Sequence, residues 1–164
     1  MNDTYVEWMV KRKTSVAMKF LKMLLIILTV MIGLLAMVAF NMVLFIVAIV
    51  IGVGAYFVSM NSEVEYEYLY VDKELTVDKV LAKSRRKRVA TFDMGKMEVM
   101  APIKSYHLDN YKNRQDKAVD YSSSEEPDHR YVFYYDGKQK VIFEPNQEMV
   151  KAIQFIAPRK VFMD

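Results

Sequence analysis

Few residues in this chain have the type and spacing that chemistry requires. His107 and His129 are the only histidines, and neither has a cysteine, a histidine four residues away or a carboxylate cluster at ligand spacing beside it. No metal site is expected from them. With five glycines in 164 residues, the chain has no phosphate-cradling glycine-rich loop, Gly-x-Ser-x-Gly elbow or P-loop. Neither catalytic residues nor a cofactor are expected. Glu63, Glu65 and Glu67 resemble an acid cluster, but their spacing of two sets them in a row along one face of a strand. A solvated or ion-paired face is the expectation there.

The basic run Arg85, Arg86, Lys87 and Arg88 is the strongest functional feature outside the apolar part of the chain. In a strand, Arg85 and Lys87 face one way and Arg86 and Arg88 the other. Two readings stay open. The run can pair across strands with the glutamate row, each exposed pair contributing about 0.2–1 kcal/mol, or it can touch a partner or anionic lipid headgroups.

What must position these residues is dominated by one stretch. From Met23 to Ser62 no Asp, Glu, Lys, Arg or His occurs. As one helix it would extend about 60 Å, roughly twice the hydrocarbon thickness of a bilayer. Two spans are therefore expected, Lys19 to Ala39 and Met42 to Met60, turning tightly at Phe40 and Asn41, with Asn41 at the hairpin tip. Gly33, Ala36, Gly52, Gly54 and Ala55 are the small residues that let such helices approach.

The net charge of +3 lies wholly in the lead-in. Lys11, Arg12, Lys13, Lys19 and Lys22 outnumber Asp3 and Glu7 there, whereas basic and acidic residues cancel from Glu63 onward. Basic residues beside a short hairpin orient that end toward the cytoplasm, so both termini are expected to be cytoplasmic in a two-pass cell-membrane protein. The pI of 8.9 then reflects the lead-in and gives no support to nucleic-acid binding. The absence of cysteine excludes disulfides and fits a reducing compartment.

Three segments are expected. Residues 1–18 form an N-terminal interfacial segment, a short helix capped at Asn2, Asp3 or Thr4, or else a frayed tail. In the helical reading Tyr5, Trp8, Lys11, Arg12 and Lys13 anchor it among the headgroups. Residues 19–60 are the transmembrane hairpin. Residues 61–164 form one small cytoplasmic β domain of about a hundred residues. Alternation begins at Glu63, the chain turns at Lys73 and Glu74, and Leu75–Leu81 returns as a strand or short helix. Strands follow at Arg85–Phe92 and Met97–Ile103, then a mobile loop from Asn110 to Asp128 that includes Ser122, Ser123, Ser124 and Pro127. Arg130–Tyr135, Asp136-Gly137 and Gln139–Glu144 make the clearest hairpin. Asn146 caps a last helix with Met149, Val150, Ile153 and Ile156 on one face, stopped by Pro158.

The segments EYEYLYVDKELTVDKVLAKSRRKRV, APIKSYHLDNYKNR and RYVFYYDGKQKVIFEPNQEMVKAIQFIAPRKVFMD resemble an uncharacterised bacterial family, a domain of unknown function in two-span membrane proteins that carry a pleckstrin-homology (PH)-like domain. The resemblance covers nearly the whole chain and brings no catalytic residues with it. It implies a membrane α-helical hairpin followed by a mainly-β (α+β) domain, a small PH-like barrel or sandwich with a C-terminal helix. The function expected is a non-enzymatic interaction or scaffold module at the cytoplasmic membrane face. The alternatives are a sensor of anionic lipid or a small ligand, and an accessory subunit of a membrane enzyme. The expected partners are the bilayer and another membrane protein or a second copy of the chain.

Overall fold

The computed structural model describes residues 5–125 and 128–164. The expected caps at Asn2, Asp3 and Thr4, and Pro127, lie outside them.

The apolar stretch folds as two helices, α1 (Val16–Val38) and α2 (Met42–Ser62), both long and apolar enough to cross a membrane. Most of their large apolar side chains are exposed, as a helix in the core of a soluble domain would not allow. Ser15 caps α1 by accepting from the Met18 N–H. At the far end Phe40 takes φ 49°, and the Asn41 side chain accepts from the N–H groups of Val43 and Leu44. That cap starts α2 after only three intervening residues, Ala39 to Asn41, so the helices run antiparallel. Ala36, Ala48 and Ala55 are buried. Gly52 lies so close to α1 that an added Cβ would stand 3.3 Å from Thr29 Cγ2, whereas Gly33 and Gly54 have open space. Of the five small residues expected to pack, Ala36, Gly52 and Ala55 are the ones so placed. Within this unit the Thr14 hydroxyl donates to the Ser62 carbonyl and Lys22 Nζ lies 3.9 Å from Glu63.

Among the described residues the β unit has eight strands in two four-stranded sheets. The first is ordered β1 (Val6–Lys11), β2 (Val64–Val71), β3 (Glu74–Leu81), β4 (Arg85–Asp93). The second is ordered β5 (Met97–Pro102), β7 (Tyr131–Tyr135), β8 (Gln139–Phe143), β6 (Lys117–Asp120). One ten-residue helix, α3 (Gln147–Ile156), follows and is capped by Asn146 as expected. The sheets meet through edge-to-face rings, Tyr68 on Phe143 and Phe92 on Phe133, with centroids 5.7 and 5.2 Å apart. They do not close into a barrel, so of the two expected forms the open one is correct. Three tight turns place paired residues at positive φ: Asp72-Lys73, Ala82-Lys83 and Asp136-Gly137. The first turn is therefore one residue earlier than expected.

Two expectations are overturned. The N-terminal segment is neither an interfacial helix nor a tail but strand β1, paired antiparallel with β2 from Val6↔Tyr70 to Lys11↔Glu65. Val6 and Val10 are buried by that pairing, and alternation serves them where helical spacing would not. The stretch expected as a mobile loop contains β6, which pairs parallel with β8. Beyond β6, Ser122 and Ser123 are buried, because Asp120 and Glu144 accept hydrogen bonds from their hydroxyls and N–H groups.

Because β1 supplies two buried valines and one edge of a sheet, the β domain should need it. Replacing residues 14–62 by a short Gly/Ser linker should leave a cooperatively folding protein. The same domain begun at Glu63 should lose about 3–5 kcal/mol, from burial of Val6 and Val10 alone. Urea denaturation checks this, and equal midpoints for the two proteins would remove β1 from the fold's requirements.

Candidate functional site

The charged residues singled out in the sequence come together only in part. Glu67 projects from β2 on the face opposite Tyr66 and Tyr68, yet it is 5 % exposed. Its carboxylate has Arg86 Nη2 at 3.0 Å from Oε1 and 2.9 Å from Oε2. Burial first, and a hydrogen bond shared with Glu7 second, push the Glu67 pKa up, while Arg86 opposes them. Glu7 shifts the other way, because it accepts from the Tyr5 hydroxyl and from Glu67. The two carboxyls are thus shifted in opposite directions, Glu67 up and Glu7 down. Arg88 lies 3.5 Å from Asp78, not from the glutamate row. Glu63 pairs with Lys22, and Glu65 stands opposite Lys11 in the register. Cross-strand pairing thus accounts for Arg86 and Arg88, while Arg85 and Lys87 are exposed and make no ion pair among the described residues.

The residues expected as headgroup anchors sit on or beside β1. Tyr5 is bonded to Glu7. The Arg12 guanidinium donates to the Tyr66 hydroxyl at 3.0 Å and lies 5.9 Å from its ring centroid. The Lys13 N–H donates to the Ser123 carbonyl. Trp8 lines a cavity of about 420 Å³ with Pro102, Arg130, Glu144, Asn146 and Asp164. In the wall of that cavity Arg130 holds Asp128 by two bonds of 2.6 and 2.9 Å, which keeps the Asp128 carboxyl below its usual range. Its charged groups are thus already engaged. His129 also lines it, whereas His107 is stacked on Phe162 with centroids 3.6 Å apart. Among the described residues no group of three or more His, Asp or Glu is arranged to hold a metal.

Sequence reasoning missed a second polar cluster. Arg114 reaches Glu98 at 2.7 Å and Asp116 at 3.2 Å and lies over the rings of Tyr111 and Tyr134. Glu98 also accepts from the Gly137 N–H at 2.6 Å, so the cluster ties the stretch before β6 to the Asp136-Gly137 turn. No local spacing announces it, because its members come from three separate segments.

Two helices long and apolar enough to cross a membrane, two open sheets and a closing helix together define a PH-like protein with two candidate membrane helices. The chain belongs to the family described as Bacterial PH-like domain (DUF6106), whose model matches residues 2–163. No curated protein and no solved structure matches it.

The sign of the Glu67 shift gives a pH dependence. A carboxyl whose folded pKa lies above its unfolded value contributes stability at low pH and loses it as pH rises through the folded pKa. Arg86 limits that loss by offsetting the buried charge. Arg86→Ala should therefore cost about 1–2 kcal/mol near pH 8 and clearly less near pH 5, and adding Glu67→Gln should abolish the difference. Thermal melts of the full chain in detergent at both pH values read this, and equal losses at the two would contradict it.

Proposed function

We propose that the protein is a two-pass protein of the bacterial cell membrane, with both termini cytoplasmic, and that its PH-like domain is a non-enzymatic interaction module held at that face. The observation that carries this reading is the β1–β2 ladder. β1 precedes the hairpin and β2 follows it, yet they are hydrogen-bonded neighbours over six residue pairs. Strands paired in this way must lie on one side of any bilayer that α1 and α2 cross. The basic lead-in, Lys11, Arg12, Lys13, Lys19 and Lys22, favours the cytoplasmic side. Membership of a PH-like family supports binding over catalysis, by analogy with the recognition roles of that fold. A domain tethered in this way meets membrane-bound partners at high local concentration and needs little intrinsic affinity for them.

Reporters fused before Asn2 and after Asp164 should both signal cytoplasm, and an extracytoplasmic signal from either end would overturn the topology. Leu28→Lys should weaken insertion by about 2.5–3.5 kcal/mol. Asn41→Asp, which keeps the cap of α2 at the hairpin tip, should be far better tolerated in the same glycosylation-based insertion assay.

A further inference from the structure

The β3–β4 turn stands apart from the other two tight turns. Leu81 to Ser84 is a two-residue hairpin closed by the Ser84 N–H donating to the Leu81 carbonyl at 3.1 Å, with Ala82 at φ 48° and Lys83 at φ 57°. Such turns favour Asn and Gly, as Asp136-Gly137 illustrates, and an Ala-Lys pair keeps this backbone against its own preference. The Ala82 N–H donates to the carbonyl of Glu63, the C-cap residue of α2. Residues 81–85 belong to the same compact unit as residues 14–64. Lys83 and Arg85 are therefore carried at the end of the hairpin where α1 begins and α2 ends, the end that also bears Lys19 and Lys22. Against these four cations the unit holds one carboxylate there, Glu63, 3.9 Å from Lys22. Lys19, Lys83 and Arg85 make no ion pair among the described residues, whereas Arg86 and Arg88 are taken by Glu67 and Asp78.

We propose that Lys19, Lys22, Lys83 and Arg85 form a collar that binds the phosphate of anionic glycerophospholipids. This rests on the membrane reading above. Lys19 and Lys22 are three residues apart, about 4.5 Å along α1, within the reach of side chains that extend toward the headgroup layer. The apolar surface of both helices continues directly from the collar, so a lipid whose acyl chains lie along the hairpin presents its phosphate at this level. A soluble phosphate lacks that second contact. The collar also divides the basic run by role: Arg86 and Arg88 hold the sheet, and Arg85 serves the membrane.

The full chain in neutral detergent, titrated with phosphatidylglycerol or with phosphatidylcholine of equal chain length and read by native mass spectrometry, tests this. The unaltered protein should retain phosphatidylglycerol at least ten-fold more strongly. Lys83→Gln with Arg85→Gln should remove about ten-fold of that preference. Lys19→Gln with Lys22→Gln, which leaves the turn untouched, should do likewise, and Lys138→Gln with Lys151→Gln should not. No preference in the unaltered protein, or a preference surviving both collar variants, would overturn the collar. Carbonate washing of the membranes separates the two levels. A chain released by it defeats the membrane reading and the collar with it, whereas a retained chain without lipid preference defeats the collar alone.

Discussion

The ladder between β1 and β2 joins segments that flank the helical hairpin, and the remaining architecture depends on it. About fifty residues separate Lys11 from Glu65, yet the two are register partners. Closing a flexible loop of that length would cost little more than closing one of half the length. Here the loop is largely two antiparallel helices, and their short turn at Asn41 returns the chain to where it left. Register matters because a slip of one residue would exchange Val6 and Val10 for Glu7 and Lys11 on the buried face. The buried Tyr66, Tyr68 and Tyr70 of β2 face the same way as the valines, which leaves Glu67 on the opposite face beside Glu7 and Arg86.

The core interleaves large aromatics and methionines with valines, leucines and an isoleucine. Tyr68, Phe133 and Phe143 are fully buried, as are Met94, Met97, Met100 and Met149. Tyr68 spans polar and apolar demands at once: its ring meets Phe143, while its hydroxyl donates to the Tyr121 carbonyl and accepts from the Glu144 N–H. Burial pushes its phenol pKa up, so it remains a donor at any ordinary pH. The buried Ser123 and Tyr68, both bonded to Glu144, thereby fix the segment after β6 to the end of β8. A segment of that composition reads as loop because satisfaction of its polar groups depends on partners more than twenty residues away.

The hairpin was legible because forty residues without charge have few alternatives, and the β7–β8 turn because Asp-Gly is its preferred pair. β1 was misread although the alternation is present: Val6, Trp8 and Val10 against Glu7, Met9 and Lys11. Over so short a span, Tyr5, Trp8 and Met9 also fit helical spacing, and the partner strand that decides between them lies beyond the two apolar helices. β6 failed for a related reason, since Lys117–Asp120 holds too little apolar character to announce a strand whose pairing is parallel and non-local. For the charged residues, spacing gave the row of glutamates but not the burial of Glu67, which requires β1 beside it. The basic run was legible as a feature. Its division into paired and unpaired members was not, because the partners Glu67 and Asp78 come from β2 and β3.

The order of β1, hairpin and β2 along the chain also sets an order in time. During synthesis β1 leaves the ribosome first, and at about 5–20 residues per second several seconds pass before β2 follows. In that interval Val6, Trp8 and Val10 have no sheet to join while the apolar hairpin is being made. Both helices are therefore made before β1 has a partner to pair with, and the first strand made is among the last to find its place.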